Sequence, residues 1–241
     1  MRLVGEGFNI STFVLVHGSW HGGWCWEKLT PKLAMKGHIC YTPTLSGMGE
    51  KFRNSTPMMG LSVHTDEIVN LLESERLQDA ILVGHSYAGM IITGVPEKTS
   101  RVGKLVYLDG IVPEHGQSIF SIMPGMEGQF RSVADARGMV PSWNPEDFGV
   151  TNPKDVAWMK KHLTPMPILT HQEKLDAPRM KAKMLPRYFV HCTQFGLGGF
   201  ADKLRREGGR VFDIDAGHDS MITEPEKLAT ILDEISSPNF R

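Results

Sequence analysis

The sequence predicts an α/β protein, a mostly parallel sheet flanked by helices and interrupted by a small inserted lid. Three observations point there. Short apolar runs rich in β-branched residues alternate with amphipathic stretches of helical spacing, the pattern of buried parallel strands joined by crossover helices. That rhythm stops near residue 111 and resumes near residue 186. At 241 residues the chain is long enough for one sizeable domain with a full core. The core is therefore expected over 1–111 and 186–241, with the lid over 112–185.

Taken in order, the first strand is Phe13-Val14-Leu15-Val16, leading into His17-Gly18. A helix from Trp26 to Lys36 follows, closed by Gly37 before a strand from His38 to Tyr41 that Pro43 ends. Leu61, Ile68, Leu71 and Leu72 share helical spacing over Leu61 to Glu73. The next strand, Ala80 to Val83, runs into a turn around Ser86, and the helix beyond it is expected to stop at Val95, before Pro96. Lys104 to Asp109 reads as another strand. The lid brings prolines, glycines, methionines and two tryptophans, Trp143 and Trp158, without strand periodicity. Strand and helix then alternate again: Tyr188 to Cys192, a helix near Ala201 to Glu207, Arg210 to Ile214, and a last helix from Pro225 to Ile235 capped by Thr223 or Glu224.

Composition narrows the partners. Lysine and arginine number 26 against 27 acidic residues, and no basic run exceeds a pair, so neither nucleic acid nor an anionic membrane surface is expected. Three scattered cysteines, Cys25, Cys40 and Cys192, lack metal-ligand spacing and read as reduced thiols of a cytoplasmic protein, mostly core filler. Glycine and glutamate interrupt the first residues, and no apolar run approaches the roughly 18 residues of a membrane span. A small molecule is the expected partner; self-association as a homodimer stays open.

The chemistry centres on Gly84-His85-Ser86-Tyr87-Ala88-Gly89. A serine hydroxyl is a weak nucleophile, so it must be lifted from the backbone by a tight strand-to-helix turn and deprotonated by a neighbouring base. The usual Gly-x-Ser-x-Gly pattern is met except that alanine stands at its last place, with Gly89 one residue later. His218, in the loop Asp215-Ala216-Gly217-His218-Asp219-Ser220 after a strand, is the expected base, the alternative being a solvated loop histidine. Backbone N–H groups must meet the oxyanion that forms on the carbonyl. Tyr87 is expected to supply one and Ser19 the other, with Gly18 allowing close approach in the loop His17-Gly18-Ser19-Trp20. His17 either orients that loop or is a structural histidine, and His85 is expected to point into the core. Gly18, Gly22 and Gly23 do not give the Gly-x-Gly-x-x-Gly spacing of a dinucleotide loop.

With these residues the chain resembles the α/β-hydrolase superfamily, and within it the branch of plant methylesterases, hydroxynitrile lyases and related bacterial esterases. The landmarks are Phe13 to Gly18 with Trp20 to Trp24, Val83 to Ser86, Val106 to Asp109 with Pro113, Cys192-Thr193 and Gly217-His218. The resemblance implies a serine hydrolase needing no cofactor and no metal. The lyases carry threonine where this chain has Gly18 and lysine where it has Asp219, so the departures favour hydrolysis. In the plant relatives the triad acid follows the strand matched here by Tyr188 to Cys192, but Phe195 holds that slot. A histidine without its carboxylate loses tautomer control, at a cost of about 10⁴ in rate. Asp109, at the end of the strand after the nucleophile helix, is the first choice for the acid; Asp202 comes next, with Asp215 and Asp219 behind.

The expected function is cleavage of a small hydrophobic or aromatic ester through an acyl-enzyme. Substrate contacts are expected from Gly18, Trp20, Trp143, Trp158 and Phe195. Met123, Met126, Met139, Met159 and Met166 either line a deformable pocket with the lid tryptophans or merely pack the lid. Amide or carbamate hydrolysis, carbon–carbon cleavage and a non-catalytic ligand-binding role remain alternatives.

Overall fold

The computed structural model describes residues 10–237. The first half of the chain forms β1 (Thr12–Val16), α1 (Thr30–Met35), β2 (Ile39–Tyr41), α2 (Leu61–Ser74), β3 (Ala80–His85), α3 (Ala88–Lys98) and β4 (Val102–Leu108). Beyond it lie α4 (Ile119–Ile122), α5 (Pro124–Val133), β5 (Met139–Val140), α6 (Pro153–His162), β6 (Met166–Pro167) and α7 (Leu169–Gln172). The chain then completes β7 (Arg187–Cys192), α8 (Gly198–Arg206), β8 (Arg210–Ile214), α9 (Ser220–Thr223) and α10 (Pro225–Ser236). Six strands make one sheet in the order β2-β1-β3-β4-β7-β8, every pairing parallel. The α/β expectation is met.

Because the sheet is covered on both faces, its central strands are apolar throughout rather than alternating. All six residues of β3 are buried, as are the last four of β1. The parallel direction brings every strand's carboxyl end to one edge, so the loops after β1, β3, β4, β7 and β8 converge there.

Two helices differ from the sequence reading. The helix expected from Trp26 is split: Gly23–Trp26 is a single tight turn, and α1 begins only at Thr30. Pro31 sets that start, since a proline fits the first turn of a helix but not its interior. Conversely, α3 runs through Pro96 to Lys98. Its last turn is held by Glu97, whose buried carboxylate accepts from Arg179 at 3.0 Å and from the Lys181 N–H at 2.8 Å. These contacts offset the one backbone bond that proline removes. Gly37 ends the first helix as expected, at φ +89°. Glu224 stands at the cap position of α10, but its side chain pairs with Lys227 and makes no cap bond.

The segment between β4 and β7 contains α4 to α7 and the antiparallel pair β5-β6, two residues each. It is tied to the loop after β1. The Trp20 indole N–H donates to the Val140 carbonyl at 3.1 Å, and the Thr164 N–H donates to the Trp20 carbonyl at 3.0 Å.

Candidate active site

Ser86 sits on a backbone that only close packing allows. Its φ is +55°, a left-handed conformation that costs a non-glycine residue about 1–2 kcal/mol. The turn is held because the Ser86 N–H donates to the Leu108 carbonyl (3.2 Å), while its own carbonyl accepts from Gly89 (3.1 Å) and Ile111 (3.0 Å). A Cβ on Gly84 would lie 2.7 Å from the Ala88 carbonyl oxygen, and one on Gly89 only 2.1 Å from that of Ile111. Gly89 is thus the second glycine the turn requires, while buried Ala88 opens α3 without strain.

His218 lies beside this turn. Its Nδ1 is 2.6 Å from the Asp109 Oδ2, with both side chains buried. Asp109 follows β4, itself at φ +40°, with its N–H donating to the Val190 carbonyl at 2.8 Å and its other oxygen accepting from the Cys192 N–H at 3.4 Å. A carboxylate can only accept, so His218 carries its proton on Nδ1 and keeps Nε2 for other work. The Phe195 ring stacks on the imidazole with centroids 4.1 Å apart. The His218 carbonyl accepts from the His85 Nε2–H at 3.2 Å. Burial holds His85 well below the usual imidazole range, and the neighbouring His218 lowers it further.

The other aspartates lie elsewhere. Asp202 is exposed and bonded to Arg205 at 2.7 Å, and Asp215 is exposed beside Gln194. Asp219 is fully buried and accepts from the His21 Nε2–H at 3.0 Å. His21 Nδ1 also faces an acceptor, the Ser19 carbonyl at 2.7 Å, so the setting of both ring nitrogens favours the charged imidazolium form. Burial opposes that charge, but the Asp219 carboxylate and the Ser19 carbonyl outweigh it and raise the pKa.

The loop after β1 is braced by His17. The Leu45 N–H donates to its Nε2 (3.0 Å), which leaves Nδ1–H to donate to the Gly18 carbonyl (2.8 Å). That carbonyl and the Ser19 N–H belong to one peptide group, so the bond both orients and polarises it. Burial lowers His17 to about 3, keeping it neutral. Gly18 does not border the cavity; a Cβ there would meet the Ser86 Cβ at 2.8 Å, so its part is close approach beneath the serine.

Ser19, Ser86, Tyr87 and His218 all border one pocket, which opens to solvent. Trp20, Trp143 and Phe195 line it, joined by Met123, Met126, Phe130 and Phe148. Trp158 does not. It packs edge-on against Trp24, centroids 5.0 Å apart, because α6 turns that face toward the turn at Gly23–Trp26. Met139, Met159 and Met166 are likewise buried in packing away from the cavity. Sequence reasoning missed His171, a buried wall residue on α7, and Phe148, which faces the His218 ring. Neither stands in a motif; only folding of the intervening segment brings them to the loop edge.

The fold finds its match among known proteins. The alpha/beta hydrolase family matches residues 13–231, and the chain belongs to it. A carbendazim hydrolyzing esterase from Nocardioides is similar at 32% identity, covering 91% of this chain and 97% of that protein. Methylesterase 10 of Arabidopsis thaliana is 26% identical, with coverage of 93% and 91%. Among solved structures, an extracellular alpha/beta-hydrolase from a Paenibacillus species, described as sharing structural and functional homology with tobacco salicylic acid binding protein 2, superposes with a TM-score of 0.82. It is 26% identical, covering 92% of this chain and 97% of that one. The resemblance to plant methylesterases and bacterial esterases is met.

Proposed function

We propose that the protein is a carboxylesterase in which Ser86 attacks the ester carbonyl, His218 is the base and Asp109 is the acid that orients it. The observation carrying this reading is the buried 2.6 Å contact between His218 Nδ1 and Asp109, with His218 bordering the pocket that also presents Ser86. His218 takes the Ser86 proton on Nε2 as Oγ bonds to the carbonyl carbon, and the N–H groups of Ser19 and Tyr87 receive the oxyanion. Tyr87 immediately precedes α3, so its N–H belongs to the end of a helix where donors lack intrahelical acceptors. His218 then protonates the departing alcohol, activates water against the acyl-serine and returns the proton to Ser86 as the acid leaves.

The aromatic and methionine lining supports a hydrophobic or aromatic ester as substrate, with Trp20, Trp143 and Phe195 in contact with it. The segment over 112–185 acts as a lid carrying most of that lining. The three cysteines are free thiols, two of them buried, which supports a reducing, cytoplasmic setting. Among the described residues no helix is long and apolar enough to cross a membrane. The Nocardioides relative supports including carbendazim among the compounds tested, and amide or carbamate cleavage on the same residues is the second reading.

A fluorophosphonate probe tests the proposal. It should label Ser86 in the wild-type protein and nothing in Ser86→Ala, which should also lose p-nitrophenyl acetate turnover while melting close to the wild type. Esterase activity retained by Ser86→Ala would overturn it.

A further inference from the structure

His171 borders the pocket with Nδ1 against the Thr170 hydroxyl and Nε2 toward the Ser19 hydroxyl. It is 3% exposed, and its ring lies nearly parallel to Tyr87, centroids 5.5 Å apart, and near Phe130 at 5.0 Å. The neighbouring hydroxyl sets the tautomer. Thr170 Oγ1 is 2.7 Å from the Pro167 carbonyl oxygen and 2.9 Å from His171 Nδ1. A carbonyl oxygen cannot donate, so the single Thr170 proton must lie on the 2.7 Å contact; otherwise two lone pairs would face each other there. His171 Nδ1 is therefore the donor to Thr170, and Nε2 is left as an acceptor. Ser19 Oγ approaches that nitrogen only to 3.4 Å, a long and weak contact. Burial lowers the His171 pKa to about 3, so the ring stays an acceptor across the working range of an esterase.

The surroundings give this nitrogen its meaning. Ser19 is the residue whose N–H is assigned to the oxyanion, so an ester carbonyl bound there lies next to Nε2. Phe130 packs near the His171 ring, and Ile119 and Met126 add apolar lining to the same pocket. The Ser19 hydroxyl gives this acceptor a donor only at the long end of hydrogen-bond distance, and a bound molecule that brings a closer donor strengthens the bond. We propose that His171 Nε2 selects esters that carry an O–H or N–H donor beside the ester carbonyl, such as 2-hydroxy esters or carbamates bearing an N–H. This rests on the esterase reading and names its substrate class.

The test compares two matched pairs: methyl mandelate with its O-methyl ether, and methyl N-phenylcarbamate with its N-methyl derivative. Wild-type kcat/KM should favour the donor-bearing member of at least one pair by about threefold to tenfold, the worth of one neutral hydrogen bond. The pair that responds identifies which donor is read. His171→Phe keeps a flat ring against Tyr87 and should abolish the preference by slowing only the donor-bearing ester. If His171→Phe does not fold, Thr170→Val serves instead, because it removes the acceptor holding the proton on Nδ1, and should weaken the preference. Equal and measurable rates of hydrolysis within both pairs, or an undiminished preference in the folded variant, would overturn the inference while leaving the esterase reading intact. Fluorescence of Trp20 and Trp143 reports binding of the same pairs to Ser86→Ala protein without turnover. Tighter binding of the donor-bearing members with no wild-type hydrolysis would support His171 as acceptor and remove the esterase reading; equal binding there would overturn the inference.

Discussion

Asp109 and Asp202 separate on what each carboxylate touches. Asp109 is buried with His218 Nδ1 at 2.6 Å, whereas Asp202 is exposed on α8 and bonded to Arg205. Asp109→Asn should therefore lower kcat by roughly 10⁴, because an amide can present a donor to Nδ1 and favour the wrong tautomer. Asp202→Asn should leave the rate essentially unchanged, and steady-state kinetics on p-nitrophenyl acetate would check both. A near-normal Asp109→Asn beside a crippled Asp202→Asn would move the acid to α8. Phe195 belongs to the same comparison. It stacks on the His218 ring as an apolar plate and borders the pocket, so this side of the imidazole is walled by carbon.

At the scale of elements, the turn between β3 and α3 and the helix α5 respond to the same substitution with opposite sign. Gly89→Ala forces a Cβ to within 2.1 Å of the Ile111 carbonyl oxygen, and should destabilise by about 2–3 kcal/mol, read as a lower urea midpoint. Gly128 lies in the middle of α5, exposed, and a Cβ there would meet no atom within 4 Å, so Gly128→Ala should stabilise by about 0.5–1 kcal/mol. Equal shifts in the two variants would count against the packing account of the turn. Elements of this kind were legible in the sequence where a local rule decides them. The apolar runs of β1 and β3, the stop at Gly37 and the small residues around Ser86 all act within a few residues of themselves. Legibility ended where distant partners decide. Pro96 stays helical because Arg179 and Lys181 anchor Glu97, β5 and β6 exist through each other, and His171 and Asp219 take their places from contacts made far along the chain.

For the whole molecule, the buried histidines predict how stability follows pH. Burial lowers His17 and His171 to about 3 and also lowers His64 and His85. The unfolded chain takes up protons near pH 6.5 that these folded groups refuse, so stability falls as pH drops below about 6.5. The loss should be on the order of 2 kcal/mol at about pH 5 for each of His17 and His171. His21 has the opposite sign: its pKa is raised, so its pairing with Asp219 is fully present below pH 6.5 and fades as pH rises through the raised value. Urea unfolding at about pH 7 and about pH 5 checks the balance. Folded His171→Phe should show a shallower loss, and a wild-type protein equally stable at both values would refute it. One feature of the sheet reaches further than stability. His85 pairs with Leu108 across β3 and β4, so Ser86 and Asp109 each stand one residue beyond a shared rung. On the proposed assignment, nucleophile and acid are spaced by the ladder itself, and the loop at Thr193 to Leu197 is released from supplying the acid. That loop still borders the cavity through Phe195 and Leu197. It is ground on which mutation can reshape substrate choice while the catalytic carboxylate stays where it is, an evolutionary freedom that chains with their acid in that loop do not have.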